Sequence, residues 1–203
     1  ALYILGTDPI TSYPDSQRNL KALQSLKFLV VQDLFMTEAA RLAHVVLPAA
    51  TFAEKEGTYT SSERRLQRLK PAIPPYGQVR DDLAILKALC EEMGQKVTEH
   101  PSCEGIWKEI GGLVPFLRGV RWGGIGPRGI QWPCIDEGSE GTPFLYGESF
   151  PKGKAMLFPI EAPEPVRSDG DYPFVLLTGT DLLHSGTLST RAKGLKELCP
   201  ESY

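Results

Sequence analysis

Three stretches of this sequence carry side chains that could meet a ligand. Asp8 stands in Gly6-Thr7-Asp8-Pro9, directly after an apolar run at residues 1–5. Gln32 and Asp33 follow the apolar residues Phe28 to Val31, and Lys55 lies in Glu54-Lys55-Glu56-Gly57, shortly after Val45-Val46-Leu47. An Asp at a strand end can accept two hydrogens from an amidine-like edge, such as the N1 and N2 side of guanine. A neighbouring Lys can offset phosphate charge, and glycine lets backbone N–H groups approach an anion. Asp8 and Asp33 also fit as caps of turns and helices, so residue type alone leaves both roles open.

The segments around these residues predict how they are positioned. Residues 1–5 read as a buried strand, and 18–26, with Leu20, Leu23 and Leu26, as a short amphipathic helix. Phe28 to Val31 is a second strand. Thr37 is placed to cap a helix over 38–43, and Val45 to Leu47 form a third strand stopped by Pro48. Strand, helix, strand, helix, strand is the rhythm of a parallel α/β sheet, in which ligands bind beyond the carboxyl ends of the strands. Residues 49–80 read as irregular and locally basic, with Arg64, Arg65, Arg68, Lys70 and Arg80. Arg64 and Arg65 fit a solvated face as well as they fit packing or a charge near a cofactor. Asp81-Asp82 begins a helix running to about Met93, with Gly94 at its end. Residues 95–160 read as a long structured connection with one helix near 104–111, and Ile160 to Tyr172 as a linker. Pro173 to Thr178 reads as a strand opening a new unit, and 192–198 as a helix.

Other chemistries lack their residues. The four cysteines, Cys90, Cys103, Cys134 and Cys199, form no CxxC pair, and the three histidines, His44, His100 and His184, show no HxxxH or HExxH spacing. The sequence holds no phosphate-binding Walker loop, no GxGxxG and no Gly-x-Ser-x-Gly elbow. Isolated cysteines point to a reducing, cytoplasmic compartment. A formal net charge of −3 excludes a basic-patch nucleic-acid binder. No apolar run reaches the roughly 18 residues of a membrane span. With 20 Gly and 17 Pro among 203 residues, the chain exceeds the roughly 12% average for the two together, the mark of a loop-rich protein. Both ends read as cut from something longer.

Taken together, these residues resemble one family. Val30 to Glu38 and Ala43 to Pro48 match its VxQDxFxTET…ADVVLP signature, and Glu54 to Thr60 with Glu63 to Gln67 match EKxGTxTNxERRxQ. Gly129-Ile130-Gln131-Trp132-Pro133-Cys134, Gly141-Thr142-Pro143, Gly153-Lys154-Ala155, Tyr172-Pro173-Phe174 and Leu177-Thr178-Gly179 follow in order. The string is similar to the molybdopterin oxidoreductases, and within them to formate dehydrogenase-like catalytic subunits. The related large iron–sulfur subunit of NADH–quinone oxidoreductase (complex I) shares much of the pattern. The chain departs from it at His44, where Asp is usual, at Thr180, where many members have Arg, and at a short His184-Ser185-Gly186-Thr187 stretch.

The resemblance implies a partial Rossmann-like α/β nucleotide-binding domain over residues 1–160, a linker over 161–170, and the beginning of a double-psi β-barrel over 171–203. It implies molybdenum or tungsten held by two molybdopterin guanine dinucleotides. The implied dinucleotide contacts are Asp8, Gln32, Asp33, Lys55 and Asp82, with Thr178, Gly179, His184, Gly186 and Thr187 from the barrel. It places the reacting residues and an iron–sulfur cluster outside this stretch, so that the stretch alone is inactive. Formate is the implied substrate. The implied partners are the remainder of the catalytic subunit and electron-transfer subunits, with no nucleic acid. In the complex I alternative the role is structural, within an electron-transfer subunit.

Overall fold

The computed structural model describes residues 1–95, 102–147, 149–150, 152–168, 170–177, 179, 189 and 191–200. The chain divides into two units, Ala1–Glu148 and Ser149–Tyr203. The first is a mixed helix-and-sheet unit with two three-stranded sheets.

The first sheet is parallel, in the order β1 (Leu2–Leu5), β2 (Leu29–Asp33), β3 (Val45–Pro48). Tyr3 lies opposite Val30 and Leu5 opposite Gln32, while Val31 faces Val46. The connections carry α1 (Pro9–Ser12), α2 (Ser16–Gln24) and α3 (Glu38–Leu42). These three helices pack on one another and so share one face of the sheet. There Ile4, Leu23, Leu29, Val31, Ala39 and Ala40 form a buried core. Each helix starts on a side-chain acceptor: Asp8 takes the Ile10 N–H at 3.1 Å, Asp15 the Arg18 N–H at 3.1 Å, and Thr37 the Ala40 N–H at 3.1 Å. Because strand side chains alternate, Tyr3, Val30 and Gln32 stand on the opposite face.

The second sheet is antiparallel and joins β4 (Gly57–Thr60), β5 (Arg65–Leu69) and β6 (Ile130–Gln131). Residues 49–80 are thus more regular than the sequence suggests. The hairpin escapes a reading based on apolar runs because its strands expose polar residues and bury a single large apolar side chain, Leu66. Leu66 belongs to a second core with Trp107, Val120, Trp122, Ile125 and Cys134. Residues 103–134 are therefore half of a hydrophobic core, where the sequence suggested a connection. Gly129 enables the closure: it sits at φ +69°, and a Cβ there would lie 2.4 Å from the Leu66 carbonyl oxygen.

Two further helices flank these sheets. α4 (Asp82–Glu92) begins on Asp81, which accepts the Leu83 N–H at 2.7 Å, and ends before Gly94 at φ +72°. α5 (Cys103–Leu113) begins on Ser102, which accepts the Gly105 N–H at 3.1 Å.

In the second unit, α6 (Lys193–Leu198) is where the sequence placed it. Residues 173–177, expected as a strand, belong to none. A strand needs a neighbour to complete its ladder, and Phe174, Leu176 and Leu177 remain 85–89% exposed.

Candidate functional site

Gln32 is the key to the site because its amide is almost sealed from water, at 1% exposure. A buried amide must find its partners inside the protein. The Tyr3 hydroxyl donates to Gln32 Oε1, and Gln32 Nε2 donates to Asp82 Oδ1 at 2.6 Å. Asp82 Oδ2 takes the Lys55 ammonium in an ion pair. Four segments distant in sequence thereby converge: β1 supplies Tyr3, β2 supplies Gln32, the loop after β3 supplies Lys55, and the first turn of α4 supplies Asp82. That turn suits a carboxylate, since the unpaired N–H groups at a helix start favour negative charge.

The convergence stands beside a cavity of about 680 Å³ lined by Lys55, Gly57, Tyr59, Asp82, Lys87 and Cys103, among others. An ionised carboxylate has about four acceptor positions and an ammonium three donor hydrogens. Asp82 uses one position on each oxygen, and Lys55 one hydrogen, on the contacts named. What remains is a pair of acceptors and a pair of donors, side by side. Such a set can take a ligand with two adjacent N–H groups and a nearby anion. Burial, and next the Asp82 charge, push the Tyr3 hydroxyl above its ordinary value of 10.0, so Tyr3 is a donor at neutral pH. Burial also raises Cys103 above 9.0, reinforced by Glu56 and Asp81, and keeps it a thiol.

Of the residues the sequence singled out, Gln32, Lys55 and Asp82 come together here. Asp8 does other work. It is 6% exposed, and beyond Ile10 its carboxylate accepts the Glu38 N–H at 3.1 Å and the Ala39 N–H at 3.3 Å, tying the starts of α1 and α3 together. Asp33 accepts the Phe35 N–H at 3.1 Å in a turn at the end of β2. Gly179 is exposed in the second unit, and Thr178, His184, Gly186 and Thr187 lie outside the described residues. Arg64 is committed to packing: it donates to the carbonyls of Trp132, Thr142 at 3.2 Å and Pro143 at 3.0 Å. Arg65 pairs with Glu63 and donates to the Arg128 carbonyl at 3.1 Å.

Sequence reasoning missed Tyr3. The available signal was period-two alternation, which puts Tyr3 on the face of β1 away from Ile4 and its core.

Residues 1–92 match the model of the family described as molybdopterin oxidoreductase. Over its whole length it is 43% identical to the F420-dependent formate dehydrogenase subunit alpha of Methanocaldococcus jannaschii, of which it covers 31%. It is 37% identical, again over its whole length, to the NADPH-Fe(3+) oxidoreductase subunit alpha of Geobacter sulfurreducens, of which it covers 21%. A solved structure, acetylene hydratase from Pelobacter acetylenicus, aligns with 60% of this chain and 16% of its own at a TM-score of 0.43 and 24% identity. The chain thus spans between a fifth and a third of these curated relatives. Among the described residues, no helix is long and apolar enough to cross a membrane.

Proposed function

We propose that this chain supplies one part of the guanine dinucleotide site in a molybdenum- or tungsten-dependent oxidoreductase of the formate dehydrogenase kind. The observation that carries the reading is the Gln32–Asp82–Lys55 contact chain beside its cavity. The residues present fit such a group. The free acceptor pair on Asp82 suits the N1–H and N2–H edge of guanine, and the remaining hydrogens of Lys55 suit a phosphate oxygen. Gly57 at the cavity wall has open space around its Cα, so the backbone can be approached closely. Gln32 and Lys55 hold the Asp82 carboxylate from behind, so it meets a ligand already oriented. Asp33, at the end of β2, borders the same region in this reading. Asp8 contributes by fixing the helices behind the sheet.

When bound, the cofactor would supply the redox chemistry, accepting the two electrons released as formate becomes carbon dioxide and a proton. This chain's residues would bind and orient its nucleotide ends. Formate enters the reading through the name of the Methanocaldococcus jannaschii relative, which is 43% identical to this chain. The same reading assigns residues 1–160 to the α/β domain, 161–170 to a linker and 171–203 to the opening of the double-psi barrel. Thr178, Gly179, His184, Gly186 and Thr187 would add contacts from that barrel. An iron–sulfur cluster, the reacting residues and the electron-transfer subunits belong to the rest of the assembly, and the stretch by itself is inactive. Cys90, Cys103 and Cys134 are in no disulfide, which supports a cytoplasmic setting.

The test is made on the whole protein. Purified, denatured and hydrolysed in acid to cleave the pyrophosphate, it should release molybdenum or tungsten together with GMP, and Asp82→Ala should lower the GMP recovered several-fold. Protein that releases neither the nucleotide nor either metal would refute the reading.

A further inference from the structure

We propose that Tyr3 is a positioning residue for this site: its hydroxyl holds the Gln32 amide in the one orientation that presents Nε2 to Asp82. This rests on the dinucleotide reading and adds to it a residue that meets no ligand. A primary amide has a donor end and an acceptor end, and only the donor end can face a carboxylate. Gln32 is too buried for water to satisfy its other end, so Oε1 depends on Tyr3. Strand pairing delivers that contact. With Tyr3 opposite Val30 and Leu5 opposite Gln32, Tyr3 and Gln32 are diagonal neighbours on one face of the sheet. The order runs from Tyr3 to Gln32, from Gln32 to Asp82 Oδ1, while Lys55 fixes Asp82 Oδ2. Each carboxylate oxygen therefore has a fixed donor behind it, and the direction of its free lone pair is set three groups away from the ligand. Removing the Tyr3 hydroxyl leaves Oε1 buried without a donor, and the amide can relieve this only by shifting, which takes Nε2 and Asp82 with it.

The experiment is a double-mutant cycle on the 203-residue chain, titrated with GMP, using Tyr3→Phe, Gln32→Met and both together. Phe retains the ring, so the change removes one hydroxyl. Tyr3→Phe should weaken GMP binding by roughly 10-fold. It should have no further effect in the Gln32→Met background. The Gln32 side-chain amide resonances should also move in Tyr3→Phe before any nucleotide is added. A role confined to general stability would weaken binding equally in both backgrounds and leave those resonances in place. Equal GMP affinity for wild type and Tyr3→Phe, or additive effects in the cycle, would overturn the positioning role. Should Gln32→Met fail to fold, the resonances of Tyr3→Phe decide it, and unmoved signals overturn it. A wild-type chain that does not bind GMP overturns the dinucleotide reading instead, and with it the ligand's part of this inference.

Discussion

The two sheets of the first unit solve the same problem in opposite ways. The parallel sheet is assembled from segments close in sequence, and its polar anchors are carboxylates. Asp8 gathers the N–H groups of Ile10, Glu38 and Ala39, and Asp82 gathers Gln32 and Lys55. The antiparallel sheet is closed by residues more than sixty positions apart, and its polar anchors are cations. Arg64 spreads its guanidinium over the carbonyls of Trp132, Thr142 and Pro143, and Arg68 stacks 4.2 Å above the Trp122 ring. Carboxylates suit the first sheet because helix starts leave N–H groups unpaired. Arginines suit the second because loops without helices leave carbonyls unpaired, and a guanidinium can serve several at once.

This contrast can be broken at named positions. The largest effect is expected from Gly129→Ala, which puts a methyl group 2.4 Å from the Leu66 carbonyl oxygen at φ +69°. It should cost about 3 kcal/mol and loosen the Trp107–Trp122 core, read by thermal unfolding followed through tryptophan fluorescence. Asp8→Ala should cost about 2 kcal/mol, with faster hydrogen exchange at Ile10, Glu38 and Ala39. The second core should keep its protection. Arg64→Lys retains the charge but loses the fork, and a loss of about 1 kcal/mol in chemical denaturation is expected. An Arg64→Lys chain as stable as wild type would show that the fork itself contributes nothing.

The smallest effect concerns Tyr3 and pH. Its hydroxyl is raised in the folded protein above the 10.0 expected when unfolded. The stability from its protonated form is complete below about pH 10 and is lost as pH rises through the higher folded value. Wild type should therefore lose stability above pH 10 more steeply than Tyr3→Phe, and Asp82→Asn should bring the Tyr3 ionisation down, followed by tyrosinate absorbance.

The same contrast decides what could be read in the sequence. The parallel layer was legible because its apolar runs, caps and turns are local: Thr37 before Glu38 and Asp81 before Asp82 behave as their types dictate. The antiparallel layer was not. Its core draws on Leu66, Trp107, Val120, Trp122 and Cys134, which come from separate segments of the chain, and no short window of sequence brings them together. Within the site, Gln32, Lys55 and Asp82 were named by resemblance and are found in one contact chain. Tyr3 escaped because an apolar strand absorbs an aromatic residue without remark, and its meaning lies in the diagonal register with Gln32. Asp8, open between cap and ligand contact by residue type, is occupied by three backbone N–H groups.

The most direct measurement is a titration of the chain with GMP, followed through the side-chain amide of Gln32 and the backbone amides of Lys55 and Asp82. The dinucleotide reading predicts saturable shifts at these three residues, with Gly129 and Trp122 of the second sheet and core unmoved. Shifts that gather around Gly129 and Trp122, or no shifts at millimolar GMP, would contradict it.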